Sequence, residues 1–379
     1  MKVQLVDLQK QYQTIKTEID RAVSGVLEKA DFVQGDHVRQ FEKEFSAYFM
    51  KKGAPPLECA SCANGTDALC LALKAIGVSA GDEVITVSHT FIATAEAISS
   101  VGATPVFVEI DEKTFLMDPK AIVPAITSRT RAIIVVHVYG QACNMDAICK
   151  IAREHRIEII EDCAQAHGAT WNGIPVGSFG IAACFSFYPG KNLGAYGDAG
   201  AVVSKNPDVI KKIRLIANHG RVDKYEHLEI GVNSRLDTLQ AAILRVKLSH
   251  LDHWNDLRIQ HAENYTEKLK DLDLIVPFVH PMSKSVWHLY VIQVEQRDEV
   301  LKTLKEKGVM AGVHYPIPLH LQPAYSHLGY QRGDLPITEK AAGSILSLPL
   351  YPELSQEEIH FVIHQVEESL SGILSIKQY

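Results

Sequence analysis

The chain has 379 residues, 45 acidic against 38 basic side chains for a formal net charge of -7, and 46% hydrophobic residues. That length supports a large core and about two domains. The acidic balance, with no basic stripe, argues against a nucleic-acid partner, and no stretch is apolar enough to span a membrane or form a signal-peptide core.

Tyr12, Ile15, Ile19, Val23 and Val26 recur at helical spacing and predict an amphipathic N-terminal arm. Leu57 to Cys62 leads into a turn, after which Ala68, Leu69, Leu71, Ala72 and Leu73 open a helix. Val84 to Val87, Pro105 to Val108, Ala132 to Val136 and Ile157 to Ile160 read as strands. Ile92 to Val101 and Met145 to His155, between them, have helical spacing. This alternation predicts an α/β fold, a mostly parallel sheet with helices on both faces. Ala182 to Phe187 and Gly200 to Val203 read as strands flanking Lys191. From Leu236 through Trp254 the pattern is one long connecting helix. Val286 to Val294 as a strand, with helices at Val300 to Lys307 and Gln356 to Leu370, completes a smaller α+β region. The expected division is 1–250 for the large domain with its N-terminal arm and 251–379 for the small one.

The chemistry concentrates at Ser186-Phe187-Tyr188-Pro189-Gly190-Lys191-Asn192-Leu193-Gly194, taken with Asp162. A lysine in a Gly-rich turn after an apolar strand can hold an aldehyde cofactor covalently and later move protons. Asp162 ends the run Ile157-Glu158-Ile159-Ile160-Glu161, as a buried parallel strand ends at the carboxyl edge of a sheet. A carboxylate there favours a protonated pyridine nitrogen, the state in which pyridoxal phosphate accepts electrons best. Asn64-Gly65-Thr66, opening a helix, offers free amides, a hydroxyl and the positive end of a dipole to a phosphate.

The seven cysteines, Cys59, Cys62, Cys70, Cys143, Cys149, Cys163 and Cys184, are scattered through apolar segments. That pattern suggests reduced thiols in a cytoplasmic core. Cys59-Ala60-Ser61-Cys62 lies along a strand rather than at a helix start, and no second pair offers a zinc site. His314 and His320 bracket two prolines in an ordered irregular loop. Two histidines without a carboxylate or cysteine partner do not make a metal site.

Six motifs in order carry a resemblance that covers nearly the whole chain. Asn64 to Leu69, His89-Thr90-Phe91-Ile92-Ala93-Thr94-Ala95, Glu161 to Gly168, Ser186 to Gly194, Gly197-Asp198-Ala199-Gly200 and Asn233-Ser234-Arg235-Leu236-Asp237 resemble the DegT/DnrJ/EryC1/StrS family. Its members are fold type I, pyridoxal-phosphate-dependent sugar aminotransferases. The resemblance implies that Lys191 is the cofactor lysine and that Asp162 pairs with the ring nitrogen. Gly65, Thr66 and Ser186 match phosphate-binding positions. Phe91 matches the aromatic that stacks on the ring, and Gln165 a residue near the ring hydroxyl. Asn233 matches a phosphate contact given by the neighbouring subunit, which implies a homodimer with active sites at its interface. Tyr188, Arg221, His314, Tyr315 and His320 are the expected substrate contacts, Arg221 for the diphosphate.

The expected substrates are L-glutamate and a nucleotide-linked keto-6-deoxy sugar. The motif around Lys191 looks most like the subgroup that aminates dTDP-3-keto-6-deoxyhexoses. A 4-keto sugar or cyclitol aminotransferase and a sugar dehydratase of the same fold are the alternatives. Relatives of the dehydratase kind replace the lysine by histidine, whereas Lys191 is present here. A non-catalytic regulator would want a DNA-binding segment, and no basic helix-turn-helix precedes Asn64.

Overall fold

The computed structural model describes residues 1–376. The chain opens with α1 (Leu8–Lys29) and α2 (Asp36–Met50). Asp7 caps α1, accepting from the Lys10 amide at 2.9 Å. In α2, Phe41, Phe45 and Phe49 recur at helical spacing and are buried. β1 (Glu58–Cys62) then leads into α3 (Gly65–Ala75). Next come β2 (Glu83–Val87), α4 (Ala93–Ser100), β3 (Thr104–Val108), α5 (Pro119–Ala125), β4 (Thr130–Val136), α6 (Met145–His155) and β5 (Glu158–Asp162). The short strands β6 (Thr170–Trp171) and β7 (Ile174–Pro175) precede β8 (Ala182–Ser186) and β9 (Gly200–Ser204). α7 (Pro207–Ala217) is followed by the 32-residue α8 (Thr238–Leu269). The rest contains β10 (Ser283–Lys284), β11 (Tyr290–Gln293), α9 (Arg297–Glu306), α10 (Pro336–Ser344), β12 (Ile345–Leu348) and α11 (Gln356–Ile376).

Seven strands form the central sheet in the order β1-β9-β8-β5-β4-β2-β3. β3, β2, β4, β5 and β8 are joined by parallel pairings, and β9 runs against both β8 and β1. The fold is therefore α/β with a mostly parallel sheet. Both faces of that sheet are covered, which is why β2 is buried at all five positions, Val84, Ile85 and Val87 among them, rather than on alternate ones. The parallel strands β2, β4, β5 and β8, and β1 in the same direction, deliver their carboxyl ends to one edge, where α/β sheets bind ligands.

Two main hydrophobic clusters divide the chain. The larger surrounds the central sheet and includes Phe41, Phe45 and Phe185. The second joins Tyr265 and Leu269 of α8 to Tyr290, Leu304, Leu348 and Ile359. Fully burying one such side chain contributes about 1.5–3 kcal/mol. Three local features stand beside these expectations. The expected division between residues 250 and 251 falls inside the continuous helix α8. Val3, assigned to the large domain with its N-terminal arm, packs in the second cluster and bridges in parallel to Val309. In the expected strand at 286–294, only Tyr290–Gln293 pairs, with β12. Val286 and His288 instead donate their amides to the Gly140 and Tyr139 carbonyls, each at 2.9 Å.

All seven cysteines are free, and Cys59 and Cys62 are buried on β1. No helix among the described residues is long and apolar enough to cross a membrane.

Candidate active site

Asp162 is the last residue of β5, and the β8–β9 turn carries Lys191 against it. The Asp162 carboxyl is buried; Oδ2 accepts from Thr94 Oγ1 at 2.9 Å and Oδ1 from the Ala164 amide at 3.1 Å. Burial raises its pKa, with those two hydrogen bonds and the Lys191 charge acting the other way. Burial brings the Lys191 ammonium down to about 8, opposed by Asp162. A lysine near neutrality beside a carboxylate is a usable base and nucleophile. Close packing shapes the turn. A Cβ on Gly194 would lie 2.3 Å from the Pro189 carbonyl oxygen, so only glycine fits there.

The Asn64 to Thr66 turn lies against the same strand end. Asn64 caps α3, its Oδ1 accepting from the Asp67 amide at 2.8 Å. A Cβ on Gly65 would stand 2.6 Å from Ser186 Cβ. Glycine thus lets the amides of the first turn of α3 and the Ser186 hydroxyl share one small space, a fitting cradle for a phosphate. The phenyl of Phe91 is 54% exposed, open to a flat partner, and lies 5.7 Å from the Tyr315 ring.

Gln165 bridges two chain segments. Its Oε1 accepts from the Tyr139 amide at 2.7 Å, and its Nε2 lies 3.3 Å from Tyr315 Oη. His314 holds Ser347 Oγ through Nδ1 at 2.8 Å. Burial, then the Lys191 charge, lowers its imidazole to about 4, so it is neutral. Burial pushes the Tyr315 hydroxyl up to about 12. Tyr188, 59% exposed, precedes Lys191 by one turn. Lys191, Asp162, Gln165, His314 and Tyr315 are thereby gathered at one edge.

His320 departs from the sequence expectation of a sugar contact. It is 1% exposed, with Nδ1 2.7 Å from Ser88 Oγ and Nε2 3.1 Å from Glu339 Oε1. Both ring nitrogens are spent, so the imidazole has none to offer a sugar; it fastens the 314–323 loop to the end of β2. Arg221 is not among the groups gathered around Lys191 either. It lines a recess of about 550 Å³ with Arg39, Lys211, Arg214 and Arg235. Asn233 is exposed, beside Ser234, whose hydroxyl donates to Asp67 at 2.6 Å.

Several residues with a part in this edge escaped the sequence reading. Thr94 fixes the Asp162 carboxylate; it lies in the His89 to Ala95 motif but carries no local sign of its partner. Tyr139 takes a left-handed backbone, φ 60°, and its hydroxyl lies 2.6 Å from His89 Nε2 and donates to the His314 carbonyl. Lys247 of α8, fully buried, donates to the Gly194 carbonyl at 2.8 Å and sits 4.3 Å over the Tyr196 ring. Burial lowers its pKa to about 7, with Glu353 acting against it.

Behind β5, ligand-type atoms of His137, Glu161 and Cys163 lie within 4.8 Å of one another. Glu161 accepts from the amides of Gly177, Phe179 and Gly180 at 2.8, 2.8 and 2.9 Å. A carboxylate so fully engaged by backbone acts as a structural post rather than a metal ligand.

A family model described as the DegT/DnrJ/EryC1/StrS aminotransferase family matches residues 13–367. The "Pleiotropic regulatory protein" of Geobacillus stearothermophilus is 46% identical over 97% of this chain and 98% of its own. The "dTDP-3-amino-3,6-dideoxy-alpha-D-galactopyranose transaminase" of Aneurinibacillus thermoaerophilus is 45% identical over 96% of this chain and 98% of that one. Among solved structures, S. venezuelae DesV in complex with a ketimine intermediate superposes with a TM-score of 0.93 at 42% identity, covering 97% of this chain and 98% of that one.

Proposed function

The chain belongs to the DegT/DnrJ/EryC1/StrS aminotransferase family, and we propose that it transfers an amino group from L-glutamate to a dTDP-linked 3-keto-6-deoxyhexose, giving a dTDP-3-amino-3,6-dideoxyhexose. The observation that carries this reading is a lysine brought by burial to about 8 beside the buried carboxyl of Asp162. The cofactor is pyridoxal 5′-phosphate, which when bound supplies an aldehyde for the amino group and a ring that accepts electrons.

Thr94 and the Ala164 amide fix the Asp162 carboxylate, which would pair with the ring nitrogen. The first-turn amides of α3, the Thr66 hydroxyl and the Ser186 hydroxyl take the phosphate. Phe91 would stack on the ring, and Gln165 would serve its hydroxyl. Lys191 holds the cofactor and moves a proton at the reacting carbon in both half-reactions. Tyr188, His314 and Tyr315 orient the sugar. Arg221 and Asn233 serve the neighbouring copy, Arg221 at a diphosphate and Asn233 at the cofactor phosphate, so the working unit is a symmetric dimer. Support for that assembly comes from exposed apolar residues in the same segment, Tyr225 at 81%, Leu228 at 63% and Ile230 at 97%.

The 3-position is favoured by the name of the Aneurinibacillus relative. The regulatory name of the Geobacillus relative fits less well with a complete lysine–carboxylate pair. The test is incubation with pyridoxal phosphate, glutamate and, separately, dTDP-linked 3-keto and 4-keto 6-deoxyhexoses, with the aminated carbon identified by NMR. Amination at carbon 3 is expected; exclusive amination of the 4-keto sugar removes the 3-keto assignment.

A further inference from the structure

Asn192 follows Lys191 and is 2% exposed. Its amide makes three hydrogen bonds whose directions are forced by their surroundings. Nδ2 lies 2.9 Å from the Val286 carbonyl oxygen and 2.9 Å from Asn255 Oδ1. The carbonyl can only accept. Asn255 has no freedom either, because its Nδ2 donates to the His167 carbonyl at 2.8 Å, which turns its oxygen toward Asn192. Two acceptors on one side require the NH₂ of Asn192 there, so Oδ1 faces the other way. Oδ1 meets His288 Nδ1 at 3.1 Å. An amide oxygen cannot donate, and so Nδ1 carries the proton. Burial, then the Lys191 charge, pushes the His288 pKa well below the ordinary imidazole value. The ring is therefore neutral, protonated at Nδ1 and bare at Nε2.

His288 is itself anchored, its amide donating to the Tyr139 carbonyl at 2.9 Å. We propose that His288 is a positioning residue for Lys191. Its Nδ1–H holds the Asn192 amide, and through it the turn from which Lys191 projects. The proposal rests on the reading of Lys191 as the cofactor lysine. It gives the imidazole work at Nδ1 and none at Nε2.

That difference can be tested atom by atom. In His288→Asn an amide nitrogen can occupy the place of Nδ1. In His288→Gln the amide reaches the place of Nε2 and the donor to Asn192 is gone. With the cofactor-loaded enzyme and glutamate alone, His288→Gln is expected to lower the half-reaction rate constant roughly 10- to 100-fold, with the apparent affinity for glutamate changed less than about twofold, and to shift the absorbance of the cofactor on Lys191. His288→Asn is expected to recover to within about threefold of the parent rate. A parent-like His288→Gln overturns the proposal, and with an impaired His288→Asn it would give the role to Nε2; His288→Asn as impaired as His288→Gln also overturns it, tying the role to the whole ring rather than to Nδ1. A second measurement does not depend on any variant's activity. In the parent protein labelled with ¹⁵N-histidine, the His288 ring, assigned by its loss in His288→Asn, should be protonated at Nδ1; the opposite tautomer overturns the proposal. Both readouts leave the sugar out, so failure of the dTDP-3-keto assignment would not touch them.

Discussion

On the sheet side of the Lys191 cleft, much of the site is closed by near neighbours: Asn64 caps its own helix three residues on, and Asp162 takes the Ala164 amide two residues on. On the loop side nearly everything comes from far away. His320 meets Ser88 across 232 residues, Tyr330 Oη donates to the Phe107 carbonyl across 223, and the Thr338 amide reaches Glu109 across 229. The first wall arranges reacting groups; the second fastens the segment after Pro316 to β2 and β3. Chemistry and anchoring are therefore separable, and substitutions should divide accordingly.

The largest effect is expected at Lys191. Lys191→Ala removes the covalent hold and the proton carrier together, so turnover should fall on the order of 10⁴-fold while the melting transition stays cooperative. Single-turnover kinetics with cofactor absorbance will check it; near-parent turnover would break the assignment of this wall to chemistry. Asp162→Asn keeps the shape and loses the charge. About a 10²-fold slower reaction with glutamate is expected, with cofactor still bound. An unchanged rate would show that no cation develops beside Asp162.

On the loop side the sign reverses, with stability lost and chemistry kept. Glu109 accepts from the Ile337 and Thr338 amides, each at 2.9 Å, and so caps α10. Glu109→Ala should cost about 2 kcal/mol of unfolding free energy in a urea titration, with kcat of the folded enzyme within about twofold of the parent. A catalytic collapse in a variant of parent stability would blur the two walls.

Acid sensitivity belongs to both walls. Burial lowers His89 to about 4, His167 to about 3 and His314 to about 4. Unfolded histidines take protons below about pH 6.5. Between there and about pH 4 these positions bind more protons in the unfolded chain than in the folded one, and their contribution to stability should be lost as pH falls. Each of His89→Gln and His314→Gln should flatten that slope; denaturant midpoints across the window decide it.

Much of the sheet was legible because buried parallel strands leave continuous β-branched runs. Met145 to His155 matches α6 at both ends, helped by the cap: Asn144 Oδ1 accepts from the Ala147 amide at 3.1 Å. The alternation of strand and helix also put Asp162 at a strand end, where it is. Other features have no local period to reveal them. β6, β7 and β10 are two residues each. Val3 meets Val309 by tertiary pairing alone. His320 looked like a ligand-facing histidine because its partners Ser88 and Glu339 are invisible from Pro318-Leu319-His320. Thr94, Asn255 and Lys247 are ordinary residues of helices until the fold brings Asp162, Asn192 and Gly194 to them.

Helix α8 also sets limits on recombination. At 32 residues it runs about 48 Å without a break, sending Lys247 to the Gly194 carbonyl, Asn255 to Asn192 and Tyr265 into the second cluster. A crossover in mid-helix would graft one parent's Lys191 supports onto the other parent's turn. A chimera meant to exchange sugar preference should join after Leu269, and it should carry the donor's first residues with the C-terminal piece, since Val3 is seated against Val309. Two seams, one of them at the start of the chain, are what this architecture asks of anyone shuffling it.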